Sequence, residues 1–346
     1  MTPSPVPRFS HQAMGTFFEV AIAGEEESYA GQAAQAAFKE IDRIERLFSR
    51  FNATSEISQV NMLRPGESFI IGIETFECLT IAERVRKETS GALDINVRTL
   101  MKFGISERNS VTCSDFSGIP GGSPNFSNSP RNIDLTPFLL ELARTENGFE
   151  ARLKGQESGP LKAVDLDLGA IGKGYALDKA LALLADWSIE NTLIHAGTST
   201  AVAIGSAPQI SGTLPFIDQE QNKRSNFRKI SDVSPKLGWA VGVGGGWPGQ
   251  GLPNEIVLSG RAVSGSGTEV KGQHIIDPRT GGPAKGHVAA WASHLSAAVA
   301  DALSTAFMVM DTEEVEDYCR LHPDVWALIV KDYGDCRVFG KMNQSF

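Results

Sequence analysis

The segment SAAVADALSTAFMVM, residues 296 to 310, carries one carboxylate and two hydroxyls at a spacing that can do chemistry. On a helix Asp301, Ser304 and Thr305 stand at i, i+3 and i+4, so their oxygens point the same way. Ala298, Val299, Ala302, Leu303, Ala306, Phe307 and Val309 make that helix apolar on most sides, which predicts that the oxygens are buried. Buried oxygens need partners. One carboxylate with hydroxyls and backbone carbonyls suits Mg²⁺, which keeps waters and takes its remaining ligands from substrate phosphates. The same residues also admit a structural arrangement, with the hydroxyls bonded back one turn and Asp301 paired with a cation.

A second stretch, DLDLGAIGKGYALDKA at 165 to 180, sets Gly169, Gly172, Lys173 and Gly174 between an alternating apolar run and a helix. Glycines at such a turn let a ligand or another strand approach closely, and the helix N-terminus behind them offers N–H groups to an anion. The spacing fits neither G-x-x-x-x-G-K-[ST] nor G-x-G-x-x-G, so a phosphate site and a tight turn are both open. A third stretch, HIIDPRTGG from His274, brings His274, Asp277 and Arg279 together at a turn in which Pro278 fixes φ and Gly281 and Gly282 permit positive φ. His274 can act as a base near pH 7 or as a structural hydrogen-bonder. His11, His195, His287, His294 and His322 have no metal-ligand spacing and read as structural.

These groups need a scaffold, and the pattern supplies one. FFEVAIA at 17 to 23 reads as a strand, and Tyr29 to Phe51 as a helix with Ala34, Phe38, Ile41, Ile44 and Phe48 on one face. Another helix runs from Glu74 to about Thr89, stopped by Gly91. FEARLK, TLIHAG, TAVAIG, WAVGVG, EIVLSG, RAVSGS, VWALIVK and CRVFG read as short strands, with helices at 296 to 310 and 312 to 322. Residues 1 to 10 read as a flexible N-terminal segment, and the polar stretches at about 106–130 and 206–236 as insertions. No linker clearly divides two domains, so the expectation is an α+β fold with one compound core over 11–340.

Composition narrows the function. The 32 basic and 41 acidic side chains give a formal charge of −9 with no basic patch interleaved with aromatics, which argues against nucleic acid as a partner. Cys78, Cys113, Cys319 and Cys336 form no C-x-x-C pair and suggest thiols in a reducing compartment. The first residues, MTPSPVPRFS, show neither an apolar signal region nor a lipid-accepting cysteine, so the expected location is cytoplasmic.

Taken in order, MGT at 14–16, FSRFNATSEISQVN at 48–61, GALDIN at 91–96, DLDLGAIGKGYALD at 165–178, HIIDPRTG at 274–281 and ADALSTAFMVM at 300–310 resemble the ApbE family of FAD:protein FMN transferases. The resemblance implies a compact α+β fold of T-fold-like type that uses FAD and Mg²⁺ and attaches FMN to a threonine of an acceptor protein. It implies FAD contacts at Met14, Phe51, Ala92, Leu93, Asp94, Gly169, Lys173, Tyr175 and Ile275; His274, next to Ile275, is then the expected base for the acceptor hydroxyl. For Mg²⁺ it implies the Gly172 carbonyl and the side chains of Asp301, Ser304 and Thr305. The same metal site with water as acceptor would make an FAD pyrophosphatase, and a chain that had lost catalysis would be an FAD-binding protein. Three features depart from the family pattern. Phe51 stands where a tyrosine is common, HAGTSTAVAIG lacks the acidic residue that usually follows a Gly-Gly, and Ser304 replaces an aspartate of some members. Many members are exported lipoproteins, whereas a cytoplasmic member would need cytoplasmic targets.

Overall fold

The computed structural model describes residues 6–96, 98, 139–155, 164–207, 238–243, 255–268, 275–331 and 335–341. His274 and the two polar insertions, apart from Ser206 and Ala207, lie outside the described residues. In chain order the first elements are β1 (Arg8–Ala13), β2 (Thr16–Ile22), α1 (Glu27–Phe48), α2 (Glu56–Asn61), β3 (Ser68–Ile71) and α3 (Ile73–Glu88). Then come β4 (Leu140–Thr145), β5 (Gly148–Leu153), α4 (Gly172–Asp186), β6 (Thr192–Ala196), β7 (Thr200–Ile204), β8 (Trp239–Gly242) and β9 (Glu255–Leu258). The last are β10 (Arg261–Gly267), β11 (Ala289–His294), α5 (Ala297–Val309), α6 (Thr312–Leu321), β12 (Trp326–Val330) and β13 (Cys336–Phe339). The class is α+β, as expected. Among the described residues no helix is long and apolar enough to cross a membrane.

The chain forms two compact units, one of residues 1–47, 169–275 and 284–346, the other of residues 48–168 and 276–283. The first is built on an eight-stranded sheet in the order β1-β2-β6-β7-β10-β11-β12-β13, antiparallel throughout. Arg8 to Ser10, assigned from sequence to the N-terminal segment, are part of its edge strand. Alternation along the strands sorts their side chains. Ala201, Ala203, Val263, Trp326 and Leu328 join Trp239, Val241, Ile256 and Leu258 of the small β8–β9 sheet in one apolar cluster. The partners on the opposite face include Thr200, opposite Ser264 in the register, and α5 packs on β7, β10 and β11 there. Every residue of α5 except Thr305 is buried, which explains a helix that is apolar nearly all round.

The second unit holds the antiparallel sheet β3-β5-β4 with α3 packed on β5, where Phe76 meets Phe149 at 4.7 Å between ring centroids. Leu79, Ala82 and Val85 of α3 are buried, and the expected stop at Gly91 is present, with φ +78° and its N–H donating to the Arg86 carbonyl. The first helix, in contrast, stops at Phe48 instead of running to Phe51. Local polar bonds outcompete it. Asn52 Oδ1 accepts from the Thr54 N–H, Ser55 Oγ donates to the Ser49 carbonyl, and Ser55 then caps α2 by accepting from the Ser58 N–H. That short helix, β1, β3 and β4 have no counterpart in the sequence reading.

The alternating run VDLDL is extended without being a named strand. Its exposure alternates as expected, with Val164, Leu166 and Leu168 buried. Asn61 takes the place of a neighbouring strand: Oδ1 accepts from the Leu166 N–H at 2.7 Å and Nδ2 donates to the Leu166 carbonyl at 3.2 Å. Asn96 Oδ1 accepts from the Asp165 N–H, and the Asp167 N–H donates to the Ile95 carbonyl. Replacing Asn61 by leucine orphans both backbone groups of Leu166. The expected cost is about 2 kcal/mol, read as a lower denaturant midpoint with an unchanged m-value.

Candidate functional site

The site of the first unit is made where two helices begin. Gly172 and Lys173 open α4, whose N-cap residue Ile171 makes no side-chain capping bond. That gap is filled from the other helix, because Asp301 Oδ2 accepts the Gly174 N–H at 3.1 Å. The service is returned by Asp178 of α4. Its Oδ1 accepts from the Ala297 N–H at 2.7 Å, while Oδ2 accepts from the Ala298 N–H at 3.0 Å and from Ser296 Oγ at 2.6 Å. Each helix thus supplies the carboxylate that caps the other's first turn, where the helix dipole is positive. Burial pushes the Asp178 carboxyl up from its ordinary value, and its hydrogen bonds pull against that rise.

This arrangement decides which glycine must be bare. A Cβ on Gly174 would lie 2.1 Å from the Ala297 carbonyl oxygen, so the two helix starts touch backbone to backbone. At Gly174 the close neighbour is therefore another helix.

Around Asp301 the donors are all oxygen or nitrogen of hard character. Asp301 is 3% exposed, and its Oδ1 accepts from Thr200 Oγ1 and Ser264 Oγ, each at 3.2 Å. Ser304 Oγ donates to the Asp301 carbonyl at 2.9 Å and also bonds with Ser264 and Ser266. Thr305 Oγ1 lies 3.3 Å from Ser266 Oγ and is the α5 hydroxyl that is not fully enclosed. Lys173 Nζ donates to the Gly169 carbonyl at 2.9 Å and sits 3.6 Å from Asp301 Oδ2. The structure so brings together Gly169, Lys173, Asp301, Ser304 and Thr305. The Gly169 carbonyl accepts from the Lys173 ammonium, and Gly172 is the buried first residue of α4. In kind, one carboxylate, several hydroxyls and a main-chain carbonyl fit Mg²⁺. Among the described residues no group of three or more His, Cys, Asp or Glu gathers that could hold a metal ion.

Other expected residues are explained by their surroundings. Met14 has φ +49° beside Gly15 at +71°, the two-residue turn of the β1–β2 hairpin, and its N–H donates to Glu45 Oε1. Gly197, at φ +54°, would place a Cβ 2.3 Å from Thr16 Oγ1 of the same MGT motif. Tyr175 is buried on α4, with Lys179 Nζ 5.2 Å from its ring centroid. Ile275 is buried too, and its carbonyl accepts from the Ala284 N–H. In the second unit Phe51 is 83% exposed, with the Arg50 guanidinium 4.1 Å from its ring centroid. Arg50 also pairs with Asp167 at 3.1 Å. Ala92 and Leu93 are buried, and Asp94 Oδ1 accepts from the Asn96 N–H. At DPRTGG, Asp277 Oδ1 accepts from the Arg279 N–H and Nε, and Gly281 takes the positive φ.

Four of the described histidines are held by partners within the fold. His11 pairs with Asp42, His195 with the Gly197 carbonyl, His294 with Asp324 and His322 with the Tyr318 carbonyl. Burial pushes His287 down to about 4.

Sequence reasoning missed Thr200, Ser264, Ser266 and Asp178. A signal for the serines was present in RAVSGSG, where hydroxyls alternate along a strand, but the strand register that adds Thr200 is not written locally.

Substituting Gly174 by alanine should separate the helix starts and pull the backbone donor away from Asp301. A loss of about 3 kcal/mol in unfolding free energy is expected, together with weaker divalent-cation binding by calorimetry. Retention of both would mean that α4 and α5 slide apart without consequence.

The chain is similar to known proteins in sequence and in fold. The ApbE family model matches residues 14–329. Among curated relatives, the FAD:protein FMN transferase of Salmonella typhimurium is 22% identical over 328 residues, covering 93% of this chain and 83% of that one. The protein of the same name from Escherichia coli K12 is 23% identical over 331 residues, with the same 93% and 83% coverage. Among solved structures, flavinyl transferase ApbE of Pseudomonas stutzeri superposes with a TM-score of 0.64 at 18% identity, over 97% of this chain and 95% of that one. The ApbE protein of Thermotoga maritima gives a TM-score of 0.66 at 22% identity, over 97% of each chain. With the motifs in order, the fold shared and the family model spanning nearly the whole chain, this protein belongs to the ApbE family.

Proposed function

We propose that the protein transfers FMN from FAD to a threonine side chain of an acceptor protein, with Mg²⁺ held at Asp301. The observation that carries this reading is the buried Asp301 carboxylate set among hydroxyls beside the Lys173 ammonium. The relatives' name, FAD:protein FMN transferase, supports the choice of substrate and reaction.

The reaction balances simply. The threonine oxygen forms a bond to the flavin-side phosphorus of FAD, the bond from that phosphorus to the bridging oxygen breaks, and AMP leaves. The hydroxyl proton passes to a base, for which His274 is the proposed group; general-base catalysis of this kind contributes about 10²-fold to 10⁴-fold. Bound Mg²⁺ would supply neutralisation of charge building on the phosphate oxygens.

The chain's own groups do the positioning. Asp301 and Thr305 would hold the ion together with the Gly172 carbonyl, with Ser304 as a nearby oxygen. Ser304, fully buried and bonded to Asp301, Ser264 and Ser266, acts chiefly by fixing the others. Lys173 is 23% exposed at its side chain, which leaves its ammonium able to meet a phosphate. Rigid placement of these groups lowers the barrier because no dipole has to turn during the reaction.

The test is direct. Pure protein, FAD, Mg²⁺ and an acceptor domain with an accessible threonine should yield a covalent fluorescent adduct whose mass increment is that of FMN less water. Chelation should abolish it. Formation of FMN and AMP without adduct would make water the acceptor, and no reaction in any combination would remove the reading.

Asp301→Asn should lower the rate by about 10²-fold or more, because it deletes the charge that holds the ion. Since Asp301 also caps α4 and faces Lys173, this variant should lose about 1–3 kcal/mol of stability as well. Thr305→Val separates the two effects, and should raise the Mg²⁺ requirement with little change in unfolding. Full activity at low Mg²⁺ in both variants would place the ion elsewhere.

A further inference from the structure

We propose that Lys173 and a divalent cation exclude one another at Asp301, so the metal binds weakly alone and tightly only once a diphosphate draws the ammonium away. The exclusion follows from the geometry, and the part given to the diphosphate rests on the proposed function.

The charge balance at the site is the starting point. Among the described residues bonded into the hydroxyl cluster, Asp301 contributes the one negative charge and Lys173 the one positive charge. The pair is neutral as it stands. Lys173 Nζ is fixed between two oxygens, the Gly169 carbonyl at 2.9 Å and Asp301 Oδ2 at 3.6 Å. These are oxygens of the kind that a hard cation would use, and Lys173 already holds a positive charge between them. The Asp301 side chain is 5% exposed, so water screens little.

A divalent ion entering beside Lys173 would leave an excess of positive charge against one carboxylate. Repulsion between the ion and the ammonium at a few ångströms offsets part of the attraction to the carboxylate. The ammonium is also the group free to leave. It ends a flexible four-carbon stem, whereas Asp301 Oδ1 is held by Thr200 and Ser264 and Oδ2 by the Gly174 N–H. A diphosphate brings the missing negative charges and gives Lys173 a new partner. Metal and FAD then raise each other's affinity by one and the same factor.

The experiment is a Mn²⁺ titration without flavin, following free Mn²⁺ by electron paramagnetic resonance, on the wild-type protein and two variants. Lys173→Met should bind Mn²⁺ roughly tenfold or more tightly than wild type, because the competing charge is gone while the carboxylate stays. Lys173→Arg keeps the charge and should stay as weak as wild type. Equal or weaker binding by Lys173→Met would overturn the proposal. Should Lys173→Met fail to fold by circular dichroism, the wild-type protein still decides. Its Mn²⁺ affinity should rise roughly tenfold or more when FAD is present, and an unchanged affinity would overturn the proposal. Normal FMN transfer with Mn²⁺ affinity unaltered in Lys173→Met would sink the exclusion alone. Tighter binding in Lys173→Met without any transfer by the wild type would sink the function alone.

Discussion

Two helices that begin against each other, each capped by a carboxylate from its neighbour, are the contact on which the site depends. Helix N-termini carry unsatisfied N–H groups and partial positive charge, so bringing two together is unfavourable unless anions are interposed. Asp178 and Asp301 are those anions. Because Gly174 has no side chain, the helix starts come close enough for a short carboxylate to reach across. Remove the capping pattern and Asp301 has no reason to sit where the hydroxyls of β7 and β10 converge.

The same contact explains why a charge survives in a helix that is otherwise buried and apolar. An isolated carboxylate in that position would be strongly destabilised, but Asp301 receives a backbone N–H, two hydroxyls and an ammonium. Capping and the proposed ion binding therefore draw on one residue. The hydroxyls follow from strand geometry. Alternation sends Val263 to the apolar cluster and Ser264 to the other face, and antiparallel register sets Thr200 opposite Ser264. Gly265 is bare because a Cβ there would meet the Trp291 indole at 2.5 Å, which lets the strand carry serines on one side and leave room for a tryptophan on the other.

Much of this was written in the sequence at short range. Asp301, Ser304 and Thr305 share a helical face whatever the fold, and the apolar residues between them announce burial. The buried stripe of α1 and the glycine stop after α3 were equally legible. What escaped was non-local. The helix that seemed to run through Phe51 ends at Phe48 because Asn52 and Ser55 bond the backbone more favourably than another turn would. Asn61 and Asn96 look like ordinary polar residues until they are seen to pair with the backbone of VDLDL, 105 and 69 positions away in the chain. The glycine turn invited a ligand as the reason for its bareness, yet the close neighbour of Gly174 is Ala297, far along the chain.

The claim that reciprocal capping builds the proposed ion site is tested most directly at Asp178, which caps α5 through Ser296, Ala297 and Ala298 and lies outside the hydroxyl cluster around Asp301 among the described residues. Calorimetric titration of Asp178→Ala and Asp178→Asn with Mn²⁺ and FAD together separates positioning from mere stability. The account predicts that Asp178→Ala loses metal binding at a temperature where circular dichroism shows it folded. Asp178→Asn, which can still accept a backbone hydrogen bond, should retain part of it. Undiminished Mn²⁺ affinity in folded Asp178→Ala would show that Asp301 finds its place without the cap, contradicting the account.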